Sequence, residues 1–270
     1  MLEVRGLAKT FHPGTPDEVR ALQGVDLGVE EGAFAVVIGT NGSGKSTLLN
    51  AIAGGFRPDR GTIRIGGEEV TSWPEHRRAG LVGRVFQNPF SGTAPGMTIA
   101  ENLALASRRG ARRGLRPLLP RATRKLAGER VRALGMGLEE RLDNEIGSLS
   151  GGQRQALTLL MATWVKPKLL LLDEHTAALD PRTADQVIRL TREVVERERL
   201  TTLMVTHSMA QAVRLGNRLV MMHRGRVVHT LSGDEKRRAR PEDLLALFDE
   251  IRRAEQLDPS AAELLRATYV

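Results

Sequence analysis

The stretch Gly39-Thr40-Asn41-Gly42-Ser43-Gly44-Lys45-Ser46-Thr47 constrains this chain more than any other. It fits the spacing G-x-x-x-x-G-K-[ST] without a mismatch. The apolar run Phe34-Ala35-Val36-Val37-Ile38 precedes it and reads as a buried strand. Ser46 to Ala53 follows and reads as a helix, with Leu48, Leu49 and Ile52 on its apolar face. Strand, glycine loop and helix in that order are the context the spacing requires. Average residue usage would produce the pattern by chance at roughly one position in 10⁴, so an ordinary glycine turn is a poor account of it.

The residue types suit a polyphosphate. Glycines let the backbone wrap closely, so that its N–H groups point inward as an anion nest. The start of the following helix adds unpaired N–H groups and a favourable dipole. Lys45 is expected to reach the β- and γ-phosphates, and the Ser46 hydroxyl to ligate Mg²⁺.

Composition narrows the classes. The 270 residues suffice for one large α/β domain or two small ones. The absence of cysteine excludes disulfides, thiolate metal sites and cysteine nucleophiles. Met1-Leu2-Glu3-Val4-Arg5-Gly6 lacks the charged head and apolar core of a secretory signal, and no apolar run approaches a membrane span. The net charge of +8 favours anionic partners. Much of it is concentrated in Arg108, Arg109, Arg112, Arg113, Arg116, Arg121, Arg124 and Lys125. This stretch reads equally well as a solvated face and as a contact with anionic headgroups or the loops of a partner protein. A nucleic-acid role is disfavoured because no aromatic residues interleave it.

In chain order, Leu2–Leu7 and Val19–Leu27 read as strands separated by a turn-rich loop, with Phe11 as a half-buried aromatic. Gly61 to Gly67 reads as a strand with a glycine turn, and Leu81 to Phe86 as another strand, ending in a loop before Pro89. Thr98 with Glu101, and Ser150 with Gln153, have capping-box spacing. Helices are expected over Ala122–Leu134, after Gln153 and over about Thr183–Arg197. The helix after Gln153 carries a core stripe of Leu157, Leu160, Met161 and Trp164. The paired Gly151-Gly152 at a helix start is costly for stability alone and makes sense where a ligand approaches the backbone. Leu169-Leu170-Leu171-Leu172 is a buried run ending in Asp173-Glu174, a common way to place a metal ligand at the edge of a parallel sheet. Asp180-Pro181 reads as the start of a helix. Thr201–Val205 is a strand followed by His207, Arg218–Met222 is a strand, and the chain is helical again from Pro241.

With these pieces in place, the chain resembles the ATP-binding subunit of ABC transporters over about Leu2 to Leu231. Gly39–Thr47 matches the first Walker motif, Gln87 the Q-loop, Leu149–Gln153 the LSGGQ signature and Leu169–Asp173 the second Walker motif. Ala177–Asp180 matches the D-loop and His207 the switch histidine. Most of the family has proline where His175 stands. Asp173-Glu174-His175-Thr176-Ala177-Ala178-Leu179-Asp180 looks like a bacterial subgroup of import-type ATPases that includes aromatic amino acid uptake.

The resemblance implies an α/β fold: a P-loop NTPase core with a mostly parallel sheet, a small antiparallel β subdomain and an inserted helical subdomain. Residues 1–233 would form the ATP-binding domain, with the helical subdomain at about 88–165, and 234–270 a short helical tail. Phe11 would stack on adenine, and Gly39, Thr40, Asn41, Gly42, Ser43, Gly44, Lys45, Ser46 and Thr47 would cradle the phosphates. Ser46, Gln87 and Asp173 would serve Mg²⁺. Glu174 would be the general base, His207 would bond the γ-phosphate and Gln87 would sense the attacking water. Ser150, Gly151, Gly152, Gln153 and Asp180 would meet ATP bound on a second copy in a head-to-tail homodimer.

The partners implied are integral membrane permeases and an extracytoplasmic substrate-binding protein, with no nucleic acid. The place implied is the cytoplasmic face of the membrane. The alternative class is a soluble ABC ATPase acting as an assembly or nucleic-acid-associated switch. Such proteins usually carry long coiled coils or tandem ATP domains, and this sequence has neither.

Overall fold

A computed structural model of the chain describes residues 1–111 and 119–251. The elements run β1 (Leu2–Phe11), β2 (Val19–Val29), β3 (Phe34–Gly39), α1 (Lys45–Ala53), β4 (Arg60–Ile65), β5 (Glu68–Glu69), α2 (Glu75–Arg78) and β6 (Val82–Val85). They continue with α3 (Ile99–Ala106), α4 (Arg121–Arg132), α5 (Gly151–Thr163), β7 (Leu169–Asp173), α6 (Pro181–Glu198) and β8 (Thr201–Val205). The last are α7 (Met209–Arg214), β9 (Arg218–His223), β10 (Arg226–Ser232) and α8 (Gly233–Arg238), followed by a helix over 241–251.

Two sheets organise these elements. The larger has the order β10-β9-β3-β8-β7-β6. All its pairings are parallel except β9 with β10. Its central strands are apolar at nearly every position because both faces are covered. On β3, Val36 and Ile38 face one core, shared with α3, α4, α5 and α6. Ala35 and Val37 face the other, shared with α1 and the second sheet. The second sheet, β2-β1-β4-β5, is antiparallel. This is the expected fold class.

The helices have local causes. Thr98 and Ser150 each complete a capping box, at the starts of α3 and α5. Asp180 caps α6, and Pro181 supplies its first turn. Val187, Leu190 and Val194 of α6 are buried, the stripe that the sequence spacing predicts. The helix over 241–251 buries Leu244 and Phe248 in the same core as α5 and α6.

The structure differs from the sequence reading where alternation breaks down. β1 reaches Phe11 rather than stopping at Leu7. Its pairing with β2 shifts register between Val4 and Leu7, where Gly6 takes φ 55°. Such an irregularity moves side chains to the other face and erases the period of two. The two-residue β5 and the four-residue α2 are too short to show any period.

Candidate active site

Parallel strands deliver their C-terminal ends to one edge of a sheet, and ligands bind in the crevice there. Four adjacent strands do so here. β3 leads into the glycine loop, β8 into His207, β7 into Asp173-Glu174 and β6 into Gln87. The resulting cleft, of about 470 Å³, is lined by Phe11, Gln87, Glu174, His207 and the loop residues Asn41 to Thr47. The sequence separates these groups by up to the length of the domain, and the strand order reunites them.

The loop is built tightly. Gly44 takes φ 97°, and a Cβ there would lie 2.5 Å from the Ala21 carbonyl oxygen, so only glycine fits. Lys45 is buried, and its Nζ donates to the carbonyls of Gly39 at 2.9 Å and Thr40 at 3.0 Å. Burial lowers its pKa, while the charges of Glu174 and Asp173 oppose that shift. The Ser43 hydroxyl is buried without a protein partner.

Asp173 is buried, which raises its pKa, and Arg84 is the strongest influence in the opposite direction. An Arg84 Nη lies 3.5 Å from Asp173 Oδ2, and the same nitrogen donates to Asn50 Oδ1 at 2.6 Å. The Ser46 hydroxyl also favours the charged carboxylate. Asp173 Oδ1 has no hydrogen-bond partner. A buried carboxylate oxygen beside a hydroxyl, at the mouth of an anion nest, fits a hard divalent cation that takes its remaining ligands from phosphate and water. Among the described residues no group of three or more His, Cys, Asp or Glu could hold a metal alone.

Glu174 is buried with φ 43°, an uncommon conformation for a non-glycine residue. Its Oε1 lies 2.6 Å from His207 Nε2, which is exposed to the cleft. The next residue, His175, is also buried, and burial pulls its pKa down to about 4, so its ring is neutral. Its Nε2 is 3.0 Å from Thr191 Oγ1. The Thr191 hydroxyl proton is already given to Val187 O, so His175 Nε2–H is the donor. That bond fastens the Glu174 loop to α6.

Phe11 lines the cleft and meets Phe56 edge-on, with ring centroids 5.4 Å apart. Lys9 Nζ lies 5.6 Å from the Phe11 centroid and is paired with Asp59.

Ser150, Gly151, Gly152, Gln153 and Asp180 do not line this cleft. They stand at the starts of α5 and α6, which adjoin. A Cβ on Gly152 would lie 2.1 Å from Thr183 Cγ2 of α6. A Cβ there would force the Thr183 side chain to move, so close packing of α5 on α6 is a second reason for a glycine at this position. Gly151, by contrast, is exposed. The Gln153 side chain closes the capping box on Ser150 N.

The described members of the arginine stretch have separate partners. The Arg109 guanidinium donates to Ala162 O and Val165 O, and Arg130 donates to Trp164 O, so both satisfy carbonyls at the C-terminal end of α5. Arg124 pairs with Asp143. Arg112, Arg113 and Arg116 lie outside the described residues.

Sequence reasoning missed Arg84 and Lys9, each a lone side chain outside any motif, and it reads Gln211 only as a capping partner of Ser208 for the helix after His207.

Comparison with known proteins agrees with this geometry. A family profile described as "ABC transporter" matches residues 22–177. The chain is 41% identical over 251 residues to the tyrosine transport ATP-binding protein of Clostridioides difficile, covering 92% of this chain and 99% of that protein. It is 39% identical over 225 residues to a lipoprotein-releasing system ATP-binding protein of Caulobacter vibrioides, covering 82% and 92%. Among solved structures it is similar to the ATP-binding cassette MJ0796, dimeric in a post-hydrolysis state bound to ADP and Pi. That match has a TM-score of 0.74 and 28% identity, covering 86% of this chain and 98% of that one. No helix among the described residues is long and apolar enough to cross a membrane. The chain belongs to the ABC transporter family, as an ATP-binding subunit that hydrolyses ATP within a transporter.

Proposed function

We propose that this ATPase powers amino acid import, with aromatic amino acids as cargo, from the cytoplasmic face of a bacterial membrane. The cargo reading is supported by the tyrosine transport relative, matched over nearly its whole length. The catalytic reading is carried by one observation. Four neighbouring strand ends bring the glycine loop, Glu174, His207 and Gln87 to a single cleft, with Asp173 closing the strand just before Glu174.

In this reading the Phe11 ring stacks on adenine, and the amides from Gly39 to Thr47 with Lys45 hold the phosphates. Ser46, Asp173 and Gln87 would hold Mg²⁺, which would supply charge neutralisation at the phosphates. Glu174 takes a proton from the attacking water, and His207 bonds the γ-phosphate and orients the Glu174 carboxylate. Two copies pair head to tail. Ser150, Gly151, Gly152, Gln153 and Asp180 of each then face ATP held by the other, a helix start against an anion. ATP stabilises the closed pair, and hydrolysis removes the contacts that hold it. The ATP-binding domain spans residues 1–233, with its helical part at about 88–165, and the tail spans 234–270.

A second groove, of about 1070 Å³, lies between β6 and the ends of α3 and α5. Phe86, Leu105 and Met161 give it apolar walls, and Arg84 reaches from it to Asp173. A short permease helix would dock there, close to the metal-binding carboxylate. A substrate-binding protein outside the membrane would deliver the cargo.

Affinity purification of the tagged chain from detergent-solubilised membranes tests the transport reading. The expected result is recovery of integral membrane subunits, with tyrosine uptake lost when the chain is deleted. Recovery of soluble or nucleic-acid-bound partners alone, with uptake intact, would contradict it.

A further inference from the structure

The 2.6 Å contact between Glu174 and His207 joins two different loops, one after β7 and one after β8. Backbone bonding ties their starts, because Glu174 N donates to the O of Val205, the last residue of β8, at 3.0 Å. Beyond that point His207 is exposed. A separate side chain bridges the two loops. Gln211, in the first turn of α7, donates from Nε2 to Thr176 Oγ1 at 3.2 Å. Its Oε1 accepts from the Thr206 hydroxyl at 2.9 Å. Thr176 lies two residues after Glu174, and Thr206 immediately precedes His207.

The bridge is fully specified. The Thr206 hydroxyl gives its only proton to Gln211 and accepts from Ser208 N at 3.1 Å. Both threonines are buried, so their bonds face little competition from water. The contribution of Gln211 to capping α7 is separate. Its backbone N–H donates to Ser208 Oγ at 3.2 Å, a bond that survives any non-proline substitution. Nor does Gln211 line the nucleotide cleft.

We propose that Gln211 is a positioning residue for ATP hydrolysis, a clamp that holds the Glu174 loop and the His207 loop at the separation their contact requires. This rests on the reading of Glu174 and His207 as a reacting pair. His175 already fastens the Glu174 loop to α6 through Thr191, so loss of the clamp releases the His207 side. Misplacement of a catalytic group by about 1 Å can lower a rate by as much as about a hundredfold, whereas ground-state binding of the triphosphate depends on the glycine loop.

The test is Gln211→Met, which keeps length and α7 capping but removes both bridging bonds. In steady-state hydrolysis by the full chain, kcat is expected to fall about tenfold with KM for ATP within about twofold. The same substitution is then made in a His207→Ala background. A clamp acting through His207 has nothing left to position there, so the further loss should be under about twofold. An equal tenfold loss in both backgrounds would mean a general structural role and overturn the proposal. Wild-type kcat in Gln211→Met, with His207→Ala slow, would overturn the clamp alone. Wild-type kcat in His207→Ala would overturn the underlying reading, and the clamp with it. Thr176→Val cuts the bridge at its far end and provides an independent check should Gln211→Met fold poorly. It should lower kcat a few-fold in wild type and add nothing to Gln211→Met, and an additive loss would contradict the clamp.

Discussion

Glu174→Gln is expected to lower the rate of phosphate release by about a hundredfold or more, the range over which a positioned general base acts. The carboxylate is buried beside the glycine loop, with Oε1 2.6 Å from His207 Nε2, so glutamine fills the same space without a basic oxygen. ATP affinity should be unchanged or tighter, because a negative charge facing the triphosphate is removed and the loop that grips it is untouched. Nucleotide titration alongside a phosphate-release assay separates the two effects. Hydrolysis at the wild-type rate would remove Glu174 from the chemistry.

The second large effect is on stability. Arg78 is 1% exposed, and its guanidinium donates to four backbone carbonyls: Ala51 and Ile52 at the end of α1, plus Thr71 and Trp73. Burial draws its pKa down to about 10, so it remains charged at neutral pH. The charge sits against the C-terminal end of the helix whose N-terminal end forms the glycine loop, where the dipole favours a cation. Arg78→Met fills similar volume but removes those donors; the Ala51 carbonyl keeps another in Gly54 N, and the Ile52, Thr71 and Trp73 carbonyls lose theirs. Each such orphan costs about 1–3 kcal/mol, offset in part because no guanidinium need then be desolvated. A net loss of about 3 kcal/mol is expected. That corresponds to a fall in Tm of roughly 6–12 °C for a domain of this size, measured by calorimetry. A change below about 2 °C would show that the carbonyls find other partners.

The parts of the site that were legible in the sequence are those where chemistry dictates residue types at fixed spacing. Gly39 to Thr47 must combine glycines, a lysine and a hydroxyl in one order, and Asp173-Glu174 must end an apolar strand. The capping boxes at Thr98 and Ser150 were legible for the same reason, being local bonds between residues three apart. Strand order was not legible. Nothing in the spacing shows that β8 lies between β3 and β7, and that adjacency is what sets His207 against Glu174. The tertiary roles of Arg84 and Gln211 were invisible because each acts as a single side chain across a tertiary gap. Gly152 was readable only as a ligand approach, since its neighbour Thr183 is distant in sequence and close only once α5 packs on α6. Proximity along the chain does not show which partners the described arginines take. Arg109 and Arg124 serve different partners once α3 and α4 are folded.

The central claim is that ATP closes two copies of this chain and that hydrolysis opens them. Light scattering on size-exclusion fractions of Glu174→Gln, with and without Mg-ATP, tests it most directly. The predicted result is a monomer without nucleotide and a persistent dimer with ATP, returning to monomer when ADP replaces it. A nucleotide-independent mass, for a protein that titration shows to bind ATP, would contradict the claim.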